Sequence, residues 1–197
     1  VYAKATIVSK VKNRVLIVQA AGNFNTSGDL TGATYGGASM TRFASGSTSN
    51  TVAWYLIAPP VGTADIVVQQ STSRNILAVG TSLFGVNQVT PCVNAAYSNG
   101  TGNSSSVTVT SATGSLVMVL SLDDLGTTTW TASGAQTASG TLAIGTTSGA
   151  WGTAPGSAST TMSWTTSAAN LTRNLAFSVS PVYGEGTTAR LTSPSGK

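Results

Sequence analysis

Residues 51–58, TVAWYLIA, followed at once by Pro59-Pro60, decide how this chain folds. Eight residues are too few for a stable helix, and β-branched and aromatic side chains dominate them, which favours a pleated strand. The paired prolines cannot donate to a ladder and end the strand. Working outward, 15–21 (VLIVQAA) is almost wholly apolar, the pattern of a central strand covered on both faces. Residues 3–9, 64–69, 75–84, 106–111, 115–122, 159–165 and 173–180 read as further strands. Shorter ones are expected within 127–133 and 141–147. Gly36-Gly37 marks a hairpin, with 38–44 pairing back across it. Gly22 to Gly32 and Gly85 to Ser105 read as loops, the second containing Pro91, Asn99-Gly100 and Gly102.

No run of a dozen residues shows a capped 3.6-residue period, and strands never alternate with helices. The expected fold is therefore all-β: a two-sheet antiparallel β-sandwich of jelly-roll type. One domain over 1–180 is expected, with a Gly/Thr/Ser-rich tail or arm over 181–197. A chain of 197 residues buries roughly 70 % of its extended surface and needs no covalent staples. None is possible within the chain, because Cys92 is its only cysteine and reads as a small buried apolar residue.

Composition narrows the function. Charged residues make up 7 % of the chain, against about 25 % in an ordinary domain, while Ser and Thr together reach roughly 30 %. Solubility rests on hydroxyls. Histidine is absent, which removes Ser-His-Asp and Cys-His nucleophile systems and the commonest metal ligand. The carboxylates are Asp29, Asp65, Asp123, Asp124 and Glu185. Asp123 and Asp124 are neighbours, so on a strand they point to opposite faces and cannot flank a glycosidic bond together. In a loop they offer oxygens to calcium, but the dense acidic register of a calcium site is missing. A polar turn is the preferred reading. No enzymatic activity, cofactor or metal is expected.

The net charge is +4. Lys4, Lys10, Lys12 and Arg14 gather near the start and Arg190 lies near the end. A basic patch interleaved with aromatics would suggest nucleic acid, and that interleaving is missing. The cations read better as guards of an edge strand or as contacts to a neighbouring subunit. No stretch reaches the ~18 to 20 apolar residues of a membrane-spanning helix. Asn25, Asn99, Asn103 and Asn170 begin glycosylation-type triplets, which arise by chance in so hydroxyl-rich a chain. Of the tryptophans, Trp54 and Trp164 sit in strands and are expected in the core. Trp130 and Trp151 lie among Gly and Thr and are weighed between capping the sandwich and stacking on a glycan or a partner.

Taken in order, several stretches resemble one family. They are NRVLIVQAA (13–21), TGATYGGASMTRFA (31–44), VAWYLIAPPVGTADIVV (52–68), NILAVGTSLFGVNQVTP (75–91), SSVTVTSATGSLVMVLSL (105–122) and MSWTTSAANLTRNLAFSVSP (162–181). Together they are similar to bacterial and bacteriophage surface β-sandwich domains of jelly-roll character, found in phage virion proteins and secreted bacterial proteins. The resemblance implies a structural, decorating or attachment role on a virion surface or in an extracellular setting, with no catalytic residues carried over. Partners would be other virion or surface subunits, including copies of the chain in a homo-oligomer. The alternative is a carbohydrate-binding or adhesion module that takes a glycan.

Overall fold

The computed structural model describes residues 2–7, 11–22, 30–46, 50–73, 75–124 and 127–182. Fourteen strands follow in chain order: β1 (Tyr2–Ile7), β2 (Val15–Gly22), β3 (Leu30–Tyr35), β4 (Ala38–Ser39), β5 (Thr41–Ser45), β6 (Thr51–Ile57), β7 (Gly62–Gln70), β8 (Ile76–Leu83), β9 (Cys92–Val109), β10 (Leu116–Asp123), β11 (Trp130–Ser133), β12 (Thr137–Ile144), β13 (Thr147–Pro155) and β14 (Thr160–Val179). Every pairing is antiparallel, and no helix occurs among the described residues. None of them therefore forms a helix long and apolar enough to cross a membrane.

The expected all-β antiparallel sandwich is what forms, but it has three sheets where two were expected. The first runs β1-β7-β3-β4, the second β8-β2-β6-β5, and the third β12-β13-β10-β14-β9. β11 continues the line of β10 along the same side of β14: Asp123 pairs with Thr172, and Trp130 with Thr166. Alternation along β6 shows how the layers are glued. Val52, Trp54 and Leu56 turn toward the first sheet, into a core with Leu16, Val18, Ile7 and Ile66. Ala53, Tyr55 and Ile57 turn toward the third, into a core with Val15, Ile17, Leu175 and Phe177. β6 is apolar from Val52 to Ile57 because both of its faces are covered, and all eight residues of β2 are buried for the same reason. Phe43 meets Phe177 edge-on at 5.5 Å between the second and third sheets.

The third sheet doubles over on itself. On β14, residues 166–169 face Asn103 alone, since Thr165 pairs with Ser104 and Asn170 with Gly102. β9 bends at the same place, where Gly102 takes φ 111°. Asn94 Nδ2 then donates to Thr110 O at 2.9 Å, and Ser98 Oγ to Ser106 O, closing β9 on itself. The folded-back halves of β9 and β14, with β11, place Val107, Met162, Trp164 and Trp130 over Val117, Val119, Ala150 and Ala176. That covers the outer face of the sheet.

Three local expectations are corrected. The stretch 85–105 is not a loop throughout: β9 begins at Cys92, and its glycines mark the bend inside a strand. The separate strands 159–165 and 173–180 are one strand, β14. After the Gly36-Gly37 turn, whose φ values of 55° and 83° suit a type I′ hairpin, only Ala38–Ser39 pair back. Thr41–Ser45 cross to the second sheet and pair with β6. In addition, β3 begins at Leu30, inside the expected first loop. Most of the expected tail, 183–197, lies outside the described residues; before it, Pro181 bridges Val86.

Close sheet approach makes some glycines irreplaceable. A Cβ on Gly149 would fall 2.7 Å from the Ser121 carbonyl oxygen and 2.8 Å from Leu77, whereas one on Gly80 meets the flexible end of Ile66. Gly149→Ala should cost about 2–3 kcal/mol in urea unfolding and Gly80→Ala about 1 kcal/mol or less. Equal costs would show that the sheets shift to make room.

Cys92 is buried in the core between the second and third sheets, and burial pushes its thiol up to about 12. Between pH 9 and 12 the folded chain holds this proton and the unfolded chain releases it, so stability falls as pH rises through that window. One such group contributes a slope of about 1.4 kcal/mol per pH unit. The slope should be shallower in Cys92→Ala by this amount, and an unchanged slope would place the thiol in solvent.

Candidate functional site

The two tryptophans weighed as stacking surfaces cover the core instead. Trp130 opens β11 and is 8 % exposed; its ring meets Trp164 edge-on at 6.1 Å. Trp151 on β13 is 9 % exposed and packs with Leu77, Val79, Leu120 and Leu122. Its indole occupies the space a side chain at Gly140 would need, 2.4 Å from a Cβ built there. Neither ring offers an open face to a sugar. The sequence held one sign of this: the glycines of the neighbouring strands leave room for flat indoles, as Gly152 does under Trp164.

The expected contact cations are not brought to one partner. Lys4 lies on the edge strand β1 and pairs across the ladder with Asp65 at 3.0 Å; both side chains are more than half exposed, which limits the pair to about 1 kcal/mol or less. Arg14 is half-buried and donates to the carbonyl oxygens of Val11 (3.3 Å) and Pro59 (3.5 Å), fastening the turn after β6. Lys12 is exposed. Lys10 and Arg190 lie outside the described residues. No group of three or more His, Cys, Asp or Glu side chains comes together among the described residues.

Asp123 corrects the reading of a polar turn. It ends β10 and is wholly buried, while Asp124 is half-buried. Trp130 Nε1 donates to Ser148 Oγ at 2.9 Å, and Ser148 Oγ donates to Asp123 Oδ1 at 2.8 Å. Beside this chain lies a second one centred on Asn174. Ser121 Oγ donates to Asn174 Oδ1 at 2.6 Å, Asn174 Nδ2 reaches Ser98 and Ser105 at 3.0 and 2.7 Å, and Thr172 Oγ1 donates to Ser105 at 2.8 Å. These residues sit on the covered face of the third sheet, where Ser105 comes from the folded-back half of β9. The seam therefore ties the doubled layer to the sheet beneath it. A polar seam among buried side chains holds one geometry, because any other leaves its groups unpaired. Asn174→Ala strands several hydroxyls at about 1–3 kcal/mol each and should lower stability by about 3 kcal/mol. A change below about 0.5 kcal/mol would mean that water enters the seam.

The molecule has an uncharged cleft of about 290 Å³ at the mouth of the doubled layer. Asn87, Thr90, Asn94, Ser111, Thr113, Ser115, Ser178 and Ser180 line it with hydroxyls and amides, and Val93, Ala112 and Pro181 with small apolar surface. Several polar groups are already held. Asn87 Oδ1 accepts from the Val89 and Thr90 amides, and the Ser111 and Ser178 hydroxyls lie 2.7 Å apart. Preformed walls of this kind suit a neutral, hydroxyl-rich ligand and supply no acid, base or charge for chemistry.

Comparison with known protein families, with curated proteins and with solved structures finds no match to this chain.

Proposed function

We propose that this chain is a non-enzymatic structural protein of a virion exterior, a jelly-roll-like capsid decoration or tail-associated module of a bacteriophage that stabilises the particle by assembling with other subunits. The observation that carries the reading is the outer edge of the third sheet, β12, which no other strand among the described residues covers, which exposes apolar side chains and which bears no charge. Two features agree with it. The central strands of the second sheet are packed on both faces, as suits a body that sits in a lattice. Surface hydroxyls pair across strands, Thr6 with Thr63 at 2.8 Å and Thr108 with Thr161 at 2.9 Å, and the chain has no histidine, the side chain whose ordinary pKa lies between pH 5 and 8.

Light scattering over a dilution series tests the reading. A defined oligomer at micromolar concentration is the expected outcome, and a monomer up to the solubility limit overturns it.

The uncharged cleft favours a second reading, a carbohydrate-binding or adhesion module on an extracellular surface. Titration with neutral mono- and disaccharides should then move the amide signals of Asn94, Thr113 and Ser180 in a saturable way. Signals that stay fixed at millimolar sugar leave the cleft as packing geometry alone.

A further inference from the structure

We infer that β12 is a self-pairing edge: it joins β12 of a second copy of this chain, antiparallel, about a two-fold axis at Leu142. The inference rests on the assembling role proposed above and names the surface and register that perform it.

Sheet edges invite pairing, and proteins blunt them with charge, bulges, bends or brevity. Most edges here are blunted. β1 carries the Lys4–Asp65 pair, β5 carries exposed Arg42, and β4 is only two residues long. β9 takes positive φ at Asn94 and Gly102 and doubles over. β12 differs. Its pairing with β13 is irregular between Ala138 and Gly140, then regular from Gly140 to Ile144, with no ionisable side chain along it. Leu142 and Ile144 are 44 % and 42 % exposed, two of the four exposed large apolar side chains among the described residues.

The register follows from the turn. Gly145 (φ 58°) and Thr146 form a two-residue loop between the paired residues Ile144 and Thr147, which fits a type II′ hairpin. Such a loop closes on a hydrogen-bonded pair, so Ile144, Leu142 and Gly140 spend their backbone groups on β13, the Ile144 carbonyl also accepting from Asn75 Nδ2 at 3.3 Å. Those of Thr141 and Ala143 point outward. With a two-fold at Leu142, Thr141 meets Ala143 of the second copy, and the two exchange both backbone hydrogen bonds. Leu142 meets its own counterpart at a non-hydrogen-bonded position, where side chains lie closest. Ile144 then faces Gly140 of the second copy beside that copy's Trp151, a large side chain against a small one.

Charge permits this occupant: each copy carries a net +4, but neither brings a charged side chain to this edge, so two copies can meet here without opposing like charges. The arrangement is self-complementary and closes as a dimer rather than growing into a fibre.

Cysteine cross-linking tests both partner and register. Leu142→Cys should give a disulfide-linked dimer under mild oxidation, because directly opposed Cβ atoms at a non-hydrogen-bonded site suit disulfide geometry. Thr141→Cys, displaced from the axis and on the other face, should not. Buried Cys92 serves as the built-in control. Ala143→Pro deletes an outward amide and should weaken association about tenfold or more in light scattering, and Leu142→Lys, which sets like charges on the axis, should do the same. Circular dichroism confirms that each variant is folded. A folded Leu142→Lys protein that assembles as tightly as the parent, with no cross-link at 142, overturns the edge assignment while leaving the assembling role intact. A parent chain that is monomeric throughout removes both.

Discussion

The two central strands of the second sheet, β2 and β6, are covered on both faces, and the rest of the molecule follows from that constraint. A strand wet on one side alternates polar and apolar residues. β2 and β6 cannot, because Val18 and Trp54 pack toward the first sheet while Ile17 and Tyr55 pack toward the third. Each fully buried aliphatic side chain contributes about 1.5–3 kcal/mol, far more than any surface hydroxyl pair. The first sheet and the third can each cover one face of the second, but the third then needs its own outer face covered. Bending β9 and β14 back meets that need with residues already on the same strands.

The bend also explains where the polar residues went. With few charges available, a domain this rich in serine and threonine must place many hydroxyls inside. The Asn174 and Asp123 seams put them where they perform a structural task. An apolar interface between the doubled layer and the sheet beneath would tolerate sliding. A row of matched donors and acceptors does not, since a shift of one residue reverses which side chains face each other.

How much of this was legible in the sequence depends on the range of the interaction. TVAWYLIA announced a strand, and VLIVQAA a central one covered on both faces, because the code for double burial is local and compositional. Gly36-Gly37 announced its turn for the same reason. The doubling of β9 was hidden, because Asn99-Gly100 and Gly102 carry the same signal whether a chain leaves a sheet or bends within one. Only the pairing partner, more than sixty residues away on β14, separates the two cases. Trp130 and Trp151 were ambiguous for a related reason: whether an indole is exposed depends on the residue of the neighbouring strand, and at Trp151 that residue is Gly140. Nor does a run such as 137–144 show whether a further strand will pair beside it.

The charge-poor composition also limits how the chain protects its edges. With nine cations and five carboxylates in all, it cannot place a lysine on every exposed strand. Geometry takes over at β9, which is folded, and at β4, which is short. Between Gly140 and Ile144 neither device operates, and an exposed leucine and isoleucine stand beside open backbone groups. Two departures from ordinary edge protection on one strand, missing charge and added apolar surface, both raise the tendency to pair, so the same five residues are coherent as an interface and costly as bare surface. The unprotected edge and the sparse charge are consequences of one composition.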